Sequence, residues 1–188
     1  PANHWLLREG EPPKKEQGRR SAGYWYRDPK SGREDAGSSR GVWRELALAN
    51  LIRARMAEWR RESYPGATRT TAELLAWWDR EGRSPRLFFA QREAVETVIF
   101  LTEARPDFLQ GISIPADEPS DERKAEGYAG FRRLGAKMAT GSGKSTVAGM
   151  LAAWSILNKV ADRSDARFSD TVLIVCPNVT IRSRLNEL

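Results

Sequence analysis

From Val42 onward, apolar residues recur at steps of three and four, the period of a helix with one buried face. Leu48, Ile52, Met56 and Trp59 form the first stripe, which Trp43, Leu46 and Leu51 widen, predicting a helix over 42–63. Arg53, Arg55, Arg60 and Arg61 fall on its other side, where charge is ordinarily solvated. Pro65 and Gly66 end it. A second helix is expected from Thr70, where Thr70 and Glu73 make a capping box, through Leu74, Leu75, Trp77 and Trp78 to Arg80. A third opens at Leu87, carries Val95, Val98, Ile99, Leu101 and Thr102, and stops before Pro106. Residues 106–128 hold three prolines and little periodicity, which reads as a long surface loop with a short strand at 112–114. Val147, Met150, Leu151, Trp154 and Leu157 then mark a fourth helix ending near Val160. The run 171–176 (TVLIVC) is short, β-branched and wholly apolar, as in a parallel strand buried on both faces. Pro177 stops it and Thr180 caps a terminal helix.

Between the expected strand 134–138 and the fourth helix lies 137–146 (KMATGSGKST), and it changes the picture from architecture to chemistry. Glycines let a backbone turn tightly and bring its N–H groups onto phosphate oxygens. A lysine adds a point charge, a hydroxyl can ligate Mg²⁺, and a helix start presents its positive end. Here Lys144 supplies the charge, Ser145 is the candidate metal ligand, and Gly141 and Gly143 are the hinges. Met138 stands where the full pattern has a small residue. A Gly/Ser/Thr-rich loop that merely caps a helix is the competing reading. Strand, phosphate loop, helix and strand make a right-handed βαβ unit of an α/β sheet.

Two further stretches bear on the same site. Ligands of parallel sheets sit at the carboxyl ends of strands, so 177–184 would open onto the loop's edge. Asn178, Thr180, Arg182, Ser183 and Arg184 offer the amide, hydroxyls and guanidiniums that a nucleic-acid backbone accepts. Gln91, beside Phe88, Phe89 and Arg92, carries a carboxamide that can both donate to and accept from adenine. The bland alternative is a solvent-facing glutamine on an amphipathic helix.

The ordered set 88–91 (FFAQ), 137–145 and 171–185 (TVLIVCPNVTIRSRL) resembles the start of a superfamily 2 helicase motor. More narrowly it resembles the restriction (Res) subunits of type III restriction enzymes and related DEAD/DEAH-box restriction proteins. The stretches 64–66 (YPG), 91–97 (QREAVET) and 166–169 (ARFS) read like that group too. The resemblance implies an α/β fold: an incomplete RecA-like P-loop parallel sheet with an amino-terminal helical accessory region. It divides the chain into a polar arm (1–41), a helical accessory region (42–82) and the first part of a RecA-like ATPase domain (83–188). It implies ATP and Mg²⁺ as cofactors, with Lys144 on the β- and γ-phosphates and Ser145 on the metal. Thr140, Gly141, Ser142, Gly143 and Thr146 would complete the phosphate cradle, Gln91 would recognise adenine, and Asn178, Thr180 and Arg182 would touch DNA. The implied activity is ATP-driven movement on DNA in a restriction or phage-defence system, with an endonuclease implied only by the family. The acidic box that holds Mg²⁺ follows the second strand in such motors. Asp121 and Glu122 precede the phosphate loop, so these 188 residues are expected to bind ATP weakly and not turn it over. A non-helicase P-loop ATPase or nucleotide kinase is one alternative. A DNA- or subunit-binding module with a vestigial nucleotide site is another.

Composition trims these readings. Lys plus Arg is 31 against 25 Asp plus Glu, a net charge of +6, with the excess in 1–64 and 128–188 and an acidic middle at 105–127. Basic ends suit a polyanion such as DNA, and equally a solvated arginine-rich surface. The single cysteine, Cys176, excludes an internal disulfide or a cysteine metal knuckle and reads as a small core residue, and the lone His4 reads as a surface or packing residue. No stretch has the length of a membrane span or the pattern of a signal peptide, so the expected location is cytoplasmic. The chain starts at Pro1 and stops within a helical pattern, which reads as part of a longer protein. Residues 1–41 are polar and rich in glycine and proline, but Trp5, Tyr24, Trp25 and Tyr26 interrupt them. These rings either dock the arm on a body or, with Arg19 and Arg20, form a base-stacking platform.

Overall fold

The computed structural model describes residues 3–6, 10–26 and 42–175, and the chain divides into two units, Pro1–Ala54 and Arg55–Leu188. The first unit is built from two antiparallel strand pairs. Strand β1 (Asn3–Leu6) pairs with β2 (Lys14–Gln17), Asn3 opposite Gln17, and His4 Nδ1 lies 3.1 Å from the Gly18 carbonyl. Strand β3 (Gly23–Tyr26) pairs with β4 (Val42–Glu45), Trp25 opposite Trp43. Helix α1 (Ala47–Arg61) follows directly. Its Asn50 accepts from the Ala22 N–H at 2.7 Å and donates to Glu45 Oε1 at 2.7 Å, fastening the helix start to the β3–β4 pair. Residues 42–45 are therefore strand, where the three- and four-residue spacing predicts helix. Trp43 is held by a ring on another strand, edge-on to Trp25 at 5.4 Å, and no local period reports such a partner.

The second unit is helical. Helices α2 (Arg69–Asp79), α3 (Phe89–Glu103) and α5 (Lys144–Ala161) pack together, α2 and α3 both lying on α5. Met56 and Trp59 from the end of α1 are buried with Val95, Ile99 and Phe100 of α3. The Trp59 ring meets Phe100 edge-on at 5.5 Å and Tyr64 at 4.8 Å, and its Nε1 donates to the Pro65 carbonyl at 2.9 Å. Such burial is worth about 1.5–3 kcal/mol per large apolar side chain. On α5, Val147, Met150 and Trp154 face inward as their spacing predicts, whereas Leu157 is 45% exposed and Asn158 is buried instead. Helix α2 is capped by Thr68, whose Oγ accepts from the Thr71 N–H at 3.0 Å, rather than by Thr70. Glu73 pairs with Arg69 at 2.8 Å, so the expected capping box does not form.

The loop expected at 106–128 contains more order than its composition suggests. Strand β5 (Ala116–Asp117) pairs antiparallel with β6 (Phe131–Arg132), and helix α4 (Asp121–Ala125) lies between them, capped by Ser120. The strand expected at 112–114 is not formed. Asp121 and Glu122 occupy the first turn of α4, a placement that suits the helix dipole and is no catalytic box.

The mixed α/β class stands, but the sheets are three antiparallel pairs and no parallel pairing exists among the described residues. Neither 134–138 nor 171–175 forms a strand, and Leu173 and Val175 are 87% and 83% exposed. Strand propensity is a preference for a pleated, half-buried surface and not a property of the backbone alone. Among the described residues this apolar β-branched run has no partner strand, so its composition alone does not make it a strand. Cys176, Pro177 and the expected terminal helix lie outside the described residues.

After α5 the chain turns on an Asp165–Arg167 clasp, in which Arg167 Nη2 donates to Asp165 Oδ2 at 2.7 Å and the Arg167 N–H to Oδ1 at 3.0 Å. It holds Phe168 edge-on to Trp154 at 5.2 Å. The side-chain hydrogen bond from Arg167 is the main cause that lowers the Asp165 carboxyl from 3.8 to about 2. A carboxylate depressed in the folded state stabilises above its unfolded pKa and loses that contribution as pH falls toward its folded one. The clasp is therefore expected to hold above about pH 4 and weaken from there toward pH 2. An Asp165→Asn variant should remove this part of the acid-unfolding curve and leave the neutral region flat, as read by tryptophan emission against pH.

Candidate functional site

The loop 138–143 leads into α5, the 18-residue helix whose first residue is Lys144. Gly143 is its N-cap in the left-handed region (φ 82°), Gly141 shares that region (φ 77°), and no side chain caps the helix. The orphan N–H groups of the first turn thus remain available, and the first turn carries no acidic residue. An anion at such a terminus gains about 0.3–1 kcal/mol from the dipole alone.

Gly143 has a second reason to be glycine. A Cβ there would lie 1.8 Å from Gln91 Nε2 and 2.9 Å from the same side chain's amide carbon. The carboxamide of Gln91 therefore rests on the N-cap glycine of α5. Gln91 is buried, 6% exposed, where an amphipathic-helix position would ordinarily place it in solvent. Its Oε1 accepts from the Phe88 N–H at 2.7 Å, closing the first turn of α3. One side chain joins the start of α3 to the loop that starts α5.

Lys144 is folded back over the same loop, its Nζ donating to the carbonyls of Ala139 at 3.0 Å and Met138 at 3.3 Å. Ser142 Oγ donates to the Ala139 carbonyl at 2.6 Å. Carbonyls 138 and 139 hold the ammonium at the loop, a contribution from the backbone that the residue pattern does not announce. Ser145 and Thr146 are half-buried in the first turn of α5, and Thr140 is exposed at its entry. Asn178, Thr180 and Arg182, the expected DNA contacts, lie outside the described residues.

These residues fit a nucleotide's phosphates: two left-handed glycines, uncapped N–H groups, a lysine at the loop and hydroxyls at the helix start. For a metal they offer only the Ser145 hydroxyl, and no group of three or more His, Cys, Asp or Glu able to hold one occurs among the described residues. Mg²⁺ bound here would take most of its oxygens from phosphate and water, which is its usual habit.

A cleft of about 600 Å³ lies between the end of α2 and the start of α3, lined by Trp78, Arg83, Arg86, Leu87, Phe89 and Arg92, among others, and by neither Gln91 nor the loop 138–143. Arg92 donates to Glu96 Oε1 at 2.9 Å and pairs with Asp79, while Arg60 Nε reaches Glu96 Oε2 at 3.1 Å. Burial works against the Arg92 charge, but the hydrogen bond and charge of Glu96 outweigh it and hold the pKa above the ordinary guanidinium value. Glu96 is 1% exposed, so the arginines that sequence spacing assigns to solvent include one that neutralises a core carboxylate. The i, i+4 spacing of Arg92 and Glu96 was the available signal; nothing local pointed to Arg60.

Helix α5 is itself fixed by a buried polar cluster. Trp154 Nε1 donates to Glu103 Oε1 at 2.7 Å, the Thr68 N–H donates to Glu103 Oε2 at 2.6 Å, and Thr71 Oγ donates to Glu103 Oε1 at 2.7 Å. Asn158 Nδ2 donates to Thr71 Oγ at 2.9 Å, and Asn158 also bonds Thr68 Oγ. Three helices meet at one carboxylate. Among the described residues, no helix is long and apolar enough to cross a membrane. Comparison of the chain with protein-family models, curated proteins and solved structures finds no match.

Proposed function

We propose that this chain carries the nucleotide-binding part of an ATP-dependent DNA translocase or helicase, of the kind that serves restriction or phage defence. The observation that carries the reading is the seat of Gln91 on Gly143. A base-reading glutamine and a phosphate loop lie far apart in sequence, and a nucleotide is the ligand that needs both at once. The cleft that Phe89 and Arg92 line, at the start of the helix that carries Gln91, has the volume of a small-ligand site. In this reading Lys144 exchanges the Met138 and Ala139 carbonyls for β- and γ-phosphate oxygens, and α5 supplies N–H donors. Ser145 orients Mg²⁺, whose chemistry is to neutralise phosphate charge. In the same reading Asn178, Thr180 and Arg182 face DNA in a cytoplasmic motor.

The test is equilibrium binding of a fluorescent ATP analogue in the presence of Mg²⁺. Lys144→Ala removes a charge-assisted contact worth about 1.5–3 kcal/mol, so affinity should fall at least tenfold with no change in helical content. Equal binding by the variant would remove the phosphate loop from the proposal.

A further inference from the structure

The β3–β4 pair presents two faces of unlike character. Alternation puts Gly23, Trp25, Trp43 and Glu45 on one side and Tyr24, Tyr26, Val42 and Arg44 on the other. On the first side the two indoles pack on each other and on Gly23, although Trp25 keeps 49% of its surface exposed. Trp43 lies so close over Gly23 that a Cβ there would be 2.3 Å from the indole, Trp25 packs edge-on at 5.4 Å, and the Arg20 guanidinium sits 5.5 Å from the Trp43 centroid. The second side is open: Tyr24 is 51% exposed, Tyr26 43% and Val42 57%.

We propose that the open face of the β3–β4 pair, formed by Tyr24, Tyr26 and Arg44, is a stacking platform for single-stranded nucleic acid. Residues two apart on a strand stand about 6.7 Å from each other. Bases in a stacked strand repeat at about 3.4 Å, so the two rings match a strand drawn out to roughly twice that repeat. Every base has a π-face, and base–aromatic stacking is worth about 1–3 kcal/mol per base without regard to sequence. Arg44, directly across from Tyr24, supplies the cation for the phosphate between two such bases. The other hairpin repeats the arrangement, with Trp5, 59% exposed, directly across from Lys15. Basic residues also outnumber acidic ones in this unit, which favours a polyanion over a neutral peptide. A duplex hides its base faces, so the platform selects unpaired strands. The proposal stands on the β3–β4 pair and not on the phosphate loop.

The experiment is fluorescence anisotropy of end-labelled oligo-dT and oligo-rU of 15 nucleotides, and of a dT·dA duplex, titrated with the whole chain at low salt. The wild type is expected to prefer either single strand to the duplex. Tyr24→Leu with Tyr26→Leu, which keeps the strand apolar, should weaken single-strand binding at least tenfold, whereas Tyr24→Phe with Tyr26→Phe should stay within twofold. Arg44→Gln should flatten the slope of log affinity against log salt by about 0.7. Equal affinity of the Leu and Phe pairs would overturn the proposal. So would a wild type that binds duplex as tightly as single strand, or one that binds neither oligonucleotide.

Discussion

Replacing Glu103 with alanine is expected to destabilise the helical unit by about 3–5 kcal/mol, because the Thr68 N–H and the Thr71 hydroxyl lose their acceptor and the Trp154 indole N–H keeps only the Thr71 oxygen at 3.0 Å. The Thr68 N–H, the Thr71 hydroxyl and the Trp154 indole N–H all end on this carboxylate at 2.6–2.7 Å, and Glu103 is 3% exposed. A lost hydrogen bond that leaves its partner in contact with water costs little. A buried donor that loses its acceptor costs its full desolvation, about 1–3 kcal/mol each. Glu103→Gln should cost less than alanine, since one amide oxygen still accepts from Trp154 and Thr71 while the NH₂ faces the Thr68 donor. Trp154→Phe deletes one donor with its partner left able to accept from Thr71, so it should cost least of the three. Urea denaturation followed by far-ultraviolet circular dichroism would give the order. A Glu103→Ala change below about 1 kcal/mol would mean that apolar packing alone sets α5 on α2 and α3.

That cluster shows what sequence patterning reports and what it omits. The helices themselves are legible, because Leu75 and Trp78 on α2, Val95 and Ile99 on α3, and Val147, Met150 and Trp154 on α5 repeat at the helical period. The start of α2 was misplaced by a competition between two threonines. Thr70 has the glutamate three residues on that a capping box needs, but Thr71 must be buried to reach Glu103, which leaves Thr68 as the cap. Glu96 and Glu103 look like surface charges, and apart from the i, i+4 spacing of Arg92 and Glu96 only their partners on other helices reveal them as core residues. The strands were the least legible part. Val42–Glu45 carries a helical spacing by accident, and Trp43 is strand because Trp25 lies opposite. Run 171–175 has every compositional mark of a buried strand and no ladder to join among the described residues. Pairing is a long-range property and composition is a local one.

The candidate site divides along the same line. The turn before α5 is readable from 141–145 alone, since Gly141 and Gly143 both take the left-handed conformation that glycine allows. Gln91 suggests only adenine recognition when read in sequence, and the structure shows a bracing role that no local pattern announces. Its Oε1 is engaged by the Phe88 N–H and its Nε2 end lies against Gly143, so the carboxamide braces the loop. A ligand that draws on the carboxamide must compete with those contacts, which couples ligand binding to the geometry of the loop.

That coupling makes Gly143→Ala the sharpest probe of the site. Two separate penalties act on the variant. Alanine at φ 82° is strained by about 1–2 kcal/mol, and its Cβ would sit 1.8 Å from Gln91 Nε2. The amide can swing clear only by giving up its bond to the Phe88 N–H and its buried position, a further ~1–2 kcal/mol. Gly143→Ala should therefore cost about 2–4 kcal/mol in the wild-type background. Gln91→Ala removes the obstacle and leaves only the backbone strain, so in that background the same change should cost about 1–2 kcal/mol. The difference is the coupling energy of a double-mutant cycle, measurable by urea denaturation of the four proteins. Nucleotide affinity should separate the two contributions further. Gly143→Ala displaces both glutamine and loop and should abolish measurable binding of the ATP analogue, while Gln91→Ala alone leaves the phosphate cradle intact and weakens binding about tenfold. If the two glycine variants lose the same stability with and without Gln91, the contact carries no energy, and the argument that this loop and this glutamine form one site fails with it.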